Sequence, residues 1–464
     1  MTIKERLERA ALGTAFSVLY ALIRKNPTKN LTRLASMAEK LAGGTFHSKY
    51  FESFKRGAAD PSNVWHRWAM GLLRDVDKHA LRRMVLAIGL GAGVHGTKAV
   101  RENREKYGCN IPFTILFDPT SACNLKCKGC WSAEYGKKDS LTTDEMRSII
   151  AQGKVLGTHN YMLTGGEPLL RKADILTLAA ENPDCSFLVY TNATLVDAAF
   201  CAELRRVGNI ALALSIEGSA DSNDARRGAG AHAKTLAAMD LLRAEKCLFG
   251  ISVCYTKENF ESVTGDAFLQ DMVTRGAKFA LYFHYMPVGK NAVPALLPTP
   301  EQRTRMYHWL RETRNSQTGN PIFVLDFQND GEYVGGCIAG GRNYFHINAA
   351  GDIEPCVFIH YSDANIRKDT LLEALRKPLF TAYYHNQPFN DNHLRPCPML
   401  ENPEHLRALI AATGADSTDL VAPESADTLC ARCDHYAAAW QETADTLWRD
   451  NPHPSPKTQY WRDS

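Results

Sequence analysis

The sequence lacks a hydrophobic run long enough to cross a bilayer as a helix. Residues 10–23 are uncharged and mostly apolar, but a spanning helix needs about 20 such residues. No small-residue cleavage site of a secretory signal stands out. The 13 cysteines lie in a chain of 464 residues, which is far longer than a secreted disulfide scaffold. We therefore expect a cytoplasmic protein whose reduced thiols can bind metal.

The chain also lacks a strong excess of either charge. Its 54 Lys+Arg against 51 Asp+Glu leave +3, which gives no reason to expect a nucleic-acid partner. The charge is uneven, because residues 1–108 hold 20 basic and 9 acidic residues, or +11, and the remainder holds 34 − 42 = −8. Two interpretations stay open for this basic head: a solvated helical face, or a surface for an anionic partner such as the inner face of a membrane.

Strand signals are nearly absent from residues 1–108. Apolar residues recur there at helical spacing, as in Leu7, Ala11, Ala15, Leu19 and Leu22, so this region is predicted to be all-helical. Residues 84–97 form an uncharged, glycine-rich run, and glycine disfavours a helix that is exposed to water. The run either packs closely against another element or lies in a membrane interface.

Short apolar runs alternate with amphipathic stretches from residue 111 to about 289. Six strands are predicted, each but the last followed by a helical stretch: Phe113–Phe117, Tyr161–Leu163, Ser186–Tyr190, Ile210–Ser215, Phe249–Cys254 and Phe279–Tyr285. This order predicts an α/β fold with a parallel sheet. Six units are too few for a closed eight-stranded barrel. We expect a partial (βα)6 barrel with its site at the carboxyl ends of the strands.

The alternation is predicted to stop near Pro321. A β-hairpin is expected from Tyr344–Asn348 and Ile353–Phe358, followed by helices at Leu371–Tyr384, Pro403–Thr413 and Cys430–Trp448. The predicted domains are therefore a helical region at 1–108, an α/β core at 109–320, and a small cysteine-rich α+β extension at 321–464.

A loop of three cysteines follows the first predicted strand. Cys123, Cys127 and Cys130 have the spacing C-x3-C-x2-C. Three thiolates on one tight loop can hold three corners of an iron–sulfur cubane, and sulfur ligands select such clusters or zinc. A structural zinc ion would require a fourth ligand, which the loop does not offer. One iron would remain open for a small molecule.

This loop resembles the signature of the radical S-adenosylmethionine (SAM) superfamily. The resemblance implies a [4Fe-4S] cluster whose open iron binds SAM. It also implies reductive cleavage of SAM to a 5′-deoxyadenosyl radical that abstracts hydrogen from a substrate. The family usually has an aromatic residue before the third cysteine, whose backbone helps to hold the adenine, and here that residue is Gly129. A glycine backbone can do the same, and Trp131 is a candidate to shield the cluster.

Further strand ends carry residues that the resemblance assigns to SAM. Thr164–Pro168 resembles the family's GGEP motif, and the segments at 215–218 and 224–228 resemble its ribose and carboxylate contacts. The implied cofactor-binding residues are Gly165, Gly166, Glu167, Pro168, Asn192, Ser215, Glu217 and Arg227. No catalytic acid or base is assigned. Tyr282, His284 and Tyr285 end the sixth strand and either face the substrate or are packed.

Five more cysteines follow residue 330. The spacing Cys337-x13-Gly351-x4-Cys356 resembles the SPASM/Twitch extension of radical SAM enzymes, which implies one auxiliary [4Fe-4S] cluster in a shortened domain. The expected ligands are Cys337, Cys356, Cys430 and Cys433, with Cys397 as an exchangeable candidate. A structural zinc site remains an alternative. The other five cysteines are interpreted as small core residues: Cys109, Cys185, Cys201, Cys247 and Cys254.

The resemblance covers residues 111–435 and predicts a radical SAM enzyme without specifying its substrate. A ribosomal peptide or protein and a membrane lipid chain are the two hypotheses, and a ferredoxin or flavodoxin is the expected reductant. The basic head adds a possible site of attachment to a membrane surface. The alternative function is an iron–sulfur electron-transfer or scaffold protein without SAM chemistry.

Overall fold

A computed structural model describes residues 3–42, 48–135, 139–289, 291–419 and 421–451. Within these ranges the first 107 residues are helical, as the sequence predicted. The helices are α1 (Ile3–Lys25), α2 (Pro27–Ala42), α3 (Ser48–Ala59), α4 (Val64–Asp75), α5 (Lys78–Val85) and α6 (Thr97–Tyr107). A π-helix, Leu86–Gly96, joins the last two.

The core alternates strands with helices. Its strands are β1 (Thr114–Phe117), β2 (Asn160–Leu163), β3 (Ser186–Thr191), β4 (Ile210–Ser215), β5 (Phe249–Tyr255), β6 (Phe279–His284) and β7 (Phe323–Asp326). Its helices are α7 (Thr143–Leu156), α8 (Lys172–Glu181), α9 (Ala198–Val207), α10 (Ala220–Arg227), α11 (Ala231–Ala244), α12 (Phe260–Val263), α13 (Asp266–Thr274) and α14 (Pro300–Thr313). Short 3₁₀ turns lie at Trp131–Tyr135, Pro168–Arg171 and Pro294–Leu296.

The C-terminal part is mixed. It contains α15 (Gly331–Val334), β8 (Tyr344–Ile347), β9 (Ile353–Glu354), β10 (Tyr361–Ser362), α16 (Leu371–Ala374), α17 (Pro378–Asn386), α18 (Pro403–Thr413), β11 (Asp416–Ser417) and α19 (Ala426–Asp450). The predicted hairpin is confirmed, because β8 and β9 pair antiparallel. The single helix predicted at Leu371–Tyr384 was wrong. Proline cannot continue a helix from the preceding turn, and Pro378 begins a new one.

One sheet runs through the core and into the C-terminal part. Its order is β7-β6-β5-β4-β3-β2-β1-β8-β9, and β1 to β7 are parallel to their neighbours. The six predicted strands and the open α/β architecture are confirmed. The predicted end of the alternation near Pro321 was wrong, since β7 adds a seventh parallel strand. In addition, β8 pairs parallel with β1, so it covers the edge that six strands alone would leave unpaired.

Successive residues of the strands point to opposite faces of the sheet. One face packs against the helices in the main core, through residues such as Ile115, Tyr161 and Val189. The other face carries Leu116, Met162 and Tyr190. These side chains line an internal chamber, which lies on the inner side of the curved sheet.

The helical head packs across the amino ends of the strands. Arg83 donates to the carbonyl of Val207 at 3.0 Å, just before β4, and Trp68 donates to that of Lys278 at 2.8 Å, just before β6. The glycine-rich run packs closely, because a Cβ on Gly91 would lie 2.2 Å from the carbonyl oxygen of Asp184. The sequence allowed either close packing or a membrane interface for this run, and the contact at Gly91 shows close packing. The predicted domain boundaries at 108 and 320 stay predictions.

Among the residues that the structure describes, no helix is both long enough and apolar enough to traverse a bilayer.

Candidate SAM and iron–sulfur site

A chamber of about 540 Å³ lies at the carboxyl ends of the strands and extends down the inner face of the sheet. Cys123, Cys127 and Cys130 line it from the loop after β1. At its far end, Arg101 and Arg104 line it from α6 of the helical head. The predicted cysteine loop therefore lines an internal chamber.

The cysteine loop is held by the segment after β2. The amide of Gly166 donates to the carbonyl of Thr120 at 2.9 Å, and that of Glu167 donates to Ala122 at 2.8 Å. A Cβ on Gly166 would lie 2.0 Å from the Ala122 oxygen. The family resemblance assigned these glycines to SAM binding. In the structure, the absence of a side chain allows the backbone of residues 165–166 to pack directly against the backbone of residues 120–122.

Glu167 is 1% exposed and lines the chamber. Its carboxylate accepts hydrogen bonds from the Thr191 hydroxyl at 2.6 Å and from the amides of Asn192 at 2.8 Å and Leu169 at 3.0 Å. Burial raises the pKa of Glu167, although these donors oppose the rise. A buried acceptor held in one orientation beside the cysteine loop is suited to a cationic ligand group.

Glu217 does not line the chamber, contrary to its predicted role, because two arginines occupy its carboxylate. Arg226 donates to it at 2.7 Å and Arg227 at 2.9 Å, and Glu217 is fully buried. Both arginines do line the chamber. Burial alone would lower the pKa of Arg226, but Cys254 and Glu217 outweigh burial and the pKa is raised. Glu217 thus positions a cationic pair at the chamber wall.

The chamber brings together most of the predicted cofactor residues. Those lining it are Gly165, Gly166, Glu167, Asn192, Ser215 and Arg227. Pro168 is buried behind them, where it begins the 3₁₀ turn. Arg226 was not among the implied cofactor residues, and the structure places it at the wall beside Arg227. Cys254, interpreted as a core residue, also lines the chamber.

Gly129 lies against the side chain of Tyr285, which directly follows β6. Its φ is +63°, and a Cβ there would lie 2.6 Å from the Tyr285 hydroxyl oxygen. The same hydroxyl accepts from the amide of Val293 at 2.9 Å. Tyr285 therefore fills the space beside residue 129 that a side chain at that position would need. His284 also lines the chamber, whereas Tyr282 is packed and donates to the Val263 carbonyl at 2.9 Å.

The start of the cysteine loop is tied to the C-terminal hairpin by a buried charge network. His346 on β8 lies 3.0 Å from Asp118 and 2.6 Å from Glu354, and all three are fully buried. Burial alone would lower the pKa of His346, but the two carboxylates outweigh it and raise the pKa to about 10. Trp131, directly after Cys130, packs edge-on against His346 with ring centroids 5.9 Å apart.

The five C-terminal cysteines gather in one region. Cys356, Cys430 and Cys433 belong to one buried cluster, and Cys337 and Cys397 pack against it. Cys337, Cys356 and Cys397 also line the chamber. Burial raises the pKa of Cys397, and Glu401, Cys337 and Cys356 raise it further. Cys397 was only the exchangeable ligand candidate. It nevertheless lines the chamber with Cys337 and Cys356, the two cysteines that flank the hairpin.

Neither cysteine group has the spacing of a single-ion site. Tetrahedral zinc–thiolate bonds of 2.3 Å would set the sulfurs about 3.8 Å apart. In the described part of the chain, the one set of three metal-type ligand atoms within 4.8 Å of one another is His159, Asp184 and Cys185. That set lies at the amino ends of β2 and β3, away from the cysteine loop. Its Asp184 forms an ion pair with Lys154 at 2.8 Å. No three thiols of either cysteine group lie that close together in the described part of the chain.

Comparisons with known proteins agree with this geometry. Residues 117–267 match the family model described as the radical SAM superfamily. The AdoMet-dependent heme synthase of Methanosarcina barkeri is 28% identical over 291 residues, which are 57% of this chain and 82% of that protein. Mycofactocin maturase MftC of Mycobacterium ulcerans is 29% identical over 264 residues, covering 54% and 70%.

A solved structure shares the fold. Streptococcus suis SuiB bound to its precursor peptide SuiA superposes with a TM-score of 0.52 at 18% identity. The match covers 63% of this chain and 71% of that one.

Proposed function

We propose that this chain acts as a radical SAM enzyme, because residues 117–267 match the model of the radical SAM superfamily, and we assign the residues that hold its cofactors. Cys123, Cys127 and Cys130 hold a [4Fe-4S] cluster that leaves one iron open for SAM. The observation that carries this assignment is that the three thiols line one chamber with Glu167 and the arginine pair.

When bound and reduced, the cluster supplies the electron that splits SAM into methionine and a 5′-deoxyadenosyl radical. The chain's own residues bind and orient SAM. We assign Glu167 to its ammonium group, because the carboxylate is buried and already fixed by three donors. We assign Arg226 and Arg227 to its carboxylate, since a guanidinium pairs well with a planar anion. Glu217 neutralises part of their charge from behind.

The apolar wall of the chamber protects the reaction. Leu116, Met162 and Phe283 line it between the cysteine loop and the helical head. Such a wall excludes water, which prevents side reactions of a reactive intermediate. It also favours a substrate that presents an apolar C–H group at this position.

We propose that the C-terminal cysteines hold one auxiliary [4Fe-4S] cluster. The supported ligand set is Cys337, Cys356, Cys397 and one of Cys430 and Cys433. This replaces the initial preference for both members of the C-x2-C pair, because Cys397 shares the chamber wall with the hairpin cysteines. Five thiols around one buried region suit a cluster that exchanges electrons with the substrate.

The substrate is proposed to be a peptide or protein, or a lipid chain, with a ferredoxin or flavodoxin as reductant. The relatives' names support more than one class, since one is a maturase and another a heme synthase. No strand occurs in the described part of residues 1–108, so these residues offer no small sheet of the kind found in leader-peptide modules. An electron-transfer function without SAM needs no such chamber, which makes it the weaker candidate.

SAM binding at the cluster gives a direct test. The protein is reconstituted without oxygen, reduced with dithionite, and its electron paramagnetic resonance spectrum is recorded before and after SAM is added. We expect the cluster signal to shift in the wild type and in Cys254→Ser, a thiol of the same chamber outside the motif. Glu167→Ala should require more SAM for the same shift. A wild-type spectrum that SAM leaves unchanged would favour the electron-transfer alternative.

A further inference from the structure

The first helix presents an uncharged face to solvent. In α1, Leu7 is 67% exposed, Val18 is 56% exposed and Leu22 is 39% exposed. Ala11, Thr14 and Ala21 are exposed between them. Residues at these spacings lie on one side of a helix. The opposite side packs inward through Gly13, Tyr20 and Ile23.

Folding of the described chain does not explain this face. The inward side of α1 already supplies its contacts with the head, since Tyr20 donates to the Leu73 carbonyl at 2.8 Å and Ile23 is 2% exposed. Single exposed apolar residues are ordinary. A row of them along about four turns of one helix, with no charge between residues 10 and 23, is typical of a helix with a second partner.

Charge identifies the class of that partner. From Arg9 to Ala38 the chain has five basic residues and no acidic one. Four of the five follow the apolar row: Arg24, Lys25, Lys29 and Arg33, all exposed. An apolar helical face flanked by cations matches a bilayer whose headgroups are anionic. A second copy of this chain would instead bring like charges together.

We propose that the outward face of α1, with the cations that follow it, docks this enzyme on an anionic phospholipid surface. The apolar row would lie in the plane of the headgroups while the cations pair with lipid phosphates and carboxylates. The proposal concerns location and does not rest on the proposed reaction.

Flotation with vesicles tests this docking. The full chain is mixed with phosphatidylcholine vesicles, with or without phosphatidylserine, and centrifuged through a density gradient. We expect the wild type to float with the anionic vesicles only, and less so at high salt. Val18→Asp should weaken binding by about tenfold, because it sets a charge in the apolar row. Lys25→Gln with Lys29→Gln should weaken it by about fivefold per removed cation.

Val421→Asp is the matched control. Val421 is 58% exposed between β11 and α19, in the C-terminal part of the chain, so its substitution should leave flotation unchanged. Equal loss in both Asp variants would overturn the proposal, as would a wild type that stays at the bottom of the gradient. So would a wild-type dimer that Val18→Asp converts to a monomer, since a second copy would then cover this face. Retained SAM cleavage in Val18→Asp separates lost docking from lost chemistry.

Discussion

Gly129→Ala is expected to destabilise the cysteine loop for two separable reasons. The residue has a φ of +63°, and an L-residue in the left-handed region costs about 1–2 kcal/mol. The new Cβ would also lie 2.6 Å from the hydroxyl oxygen and 2.9 Å from a ring carbon of Tyr285. Overpacking of this kind costs about 1–3 kcal/mol. The expected loss in the free energy of unfolding is therefore about 2–5 kcal/mol.

Gly108 offers a control for the backbone part alone. Its φ is +60°, and nothing lies within 4 Å of the position that a Cβ would take. Gly108→Ala should then lose only the conformational cost, about 1–2 kcal/mol. Urea unfolding of both variants, followed by circular dichroism, measures the difference.

Tyr285→Leu adds the second arm of a double-mutant cycle. If Tyr285 fills the space beside residue 129, shortening it should recover about 1–3 kcal/mol in the Gly129→Ala background. The loss of iron from the reconstituted protein should follow the same order, because the loop holds the three thiols. Equal costs at positions 129 and 108, with no coupling to Tyr285, would refute this reasoning.

Three further predictions concern buried groups. Glu217→Gln should lower stability by about 3–5 kcal/mol, measured by urea unfolding, because it leaves two buried arginines without their counter-charge. His346 has a pKa raised from 6.5 to about 10 by two buried carboxylates, so its stabilisation is complete below pH 6.5 and is lost as the pH rises through 10. Thermal unfolding should therefore show a fall over this range in the wild type that His346→Gln flattens. Cys397→Ser should remove about four irons per chain in an iron assay, whereas Cys254→Ser should remove none.

Local patterns predicted much of the fold. The alternation of short apolar runs with amphipathic stretches is sufficient to locate the six parallel strands, and the thiol spacing is sufficient to identify the cysteine loop. The strands that extend the sheet beyond these six were harder to predict. Residues 322–325 are all apolar, but α14, the helix that precedes them, is mostly polar in sequence and was not predicted, so β7 was missed. The pairing of β8 with β1 joins residues about 230 positions apart, and no local signal encodes such a pairing.

The missed parts of the site have a similar cause. A carboxylate at position 217 suits a ligand contact and an arginine clamp equally well, and only the packing of α10 decides between them. Glycine at position 129 departs from the family's pattern in sequence, and the complementary aromatic residue, Tyr285, comes from the segment directly after β6. The position of Cys397 depends on the turn before α18, which spacing alone does not define.

The most direct test of the account is reductive cleavage of SAM. The anaerobically reconstituted enzyme is reduced with dithionite in the presence of SAM, and 5′-deoxyadenosine is quantified by mass spectrometry. It is compared with a variant in which Cys123, Cys127 and Cys130 are all Ala. We predict product from the wild type and none from the variant. No product from a wild type that holds its full iron and sulfide would contradict the account.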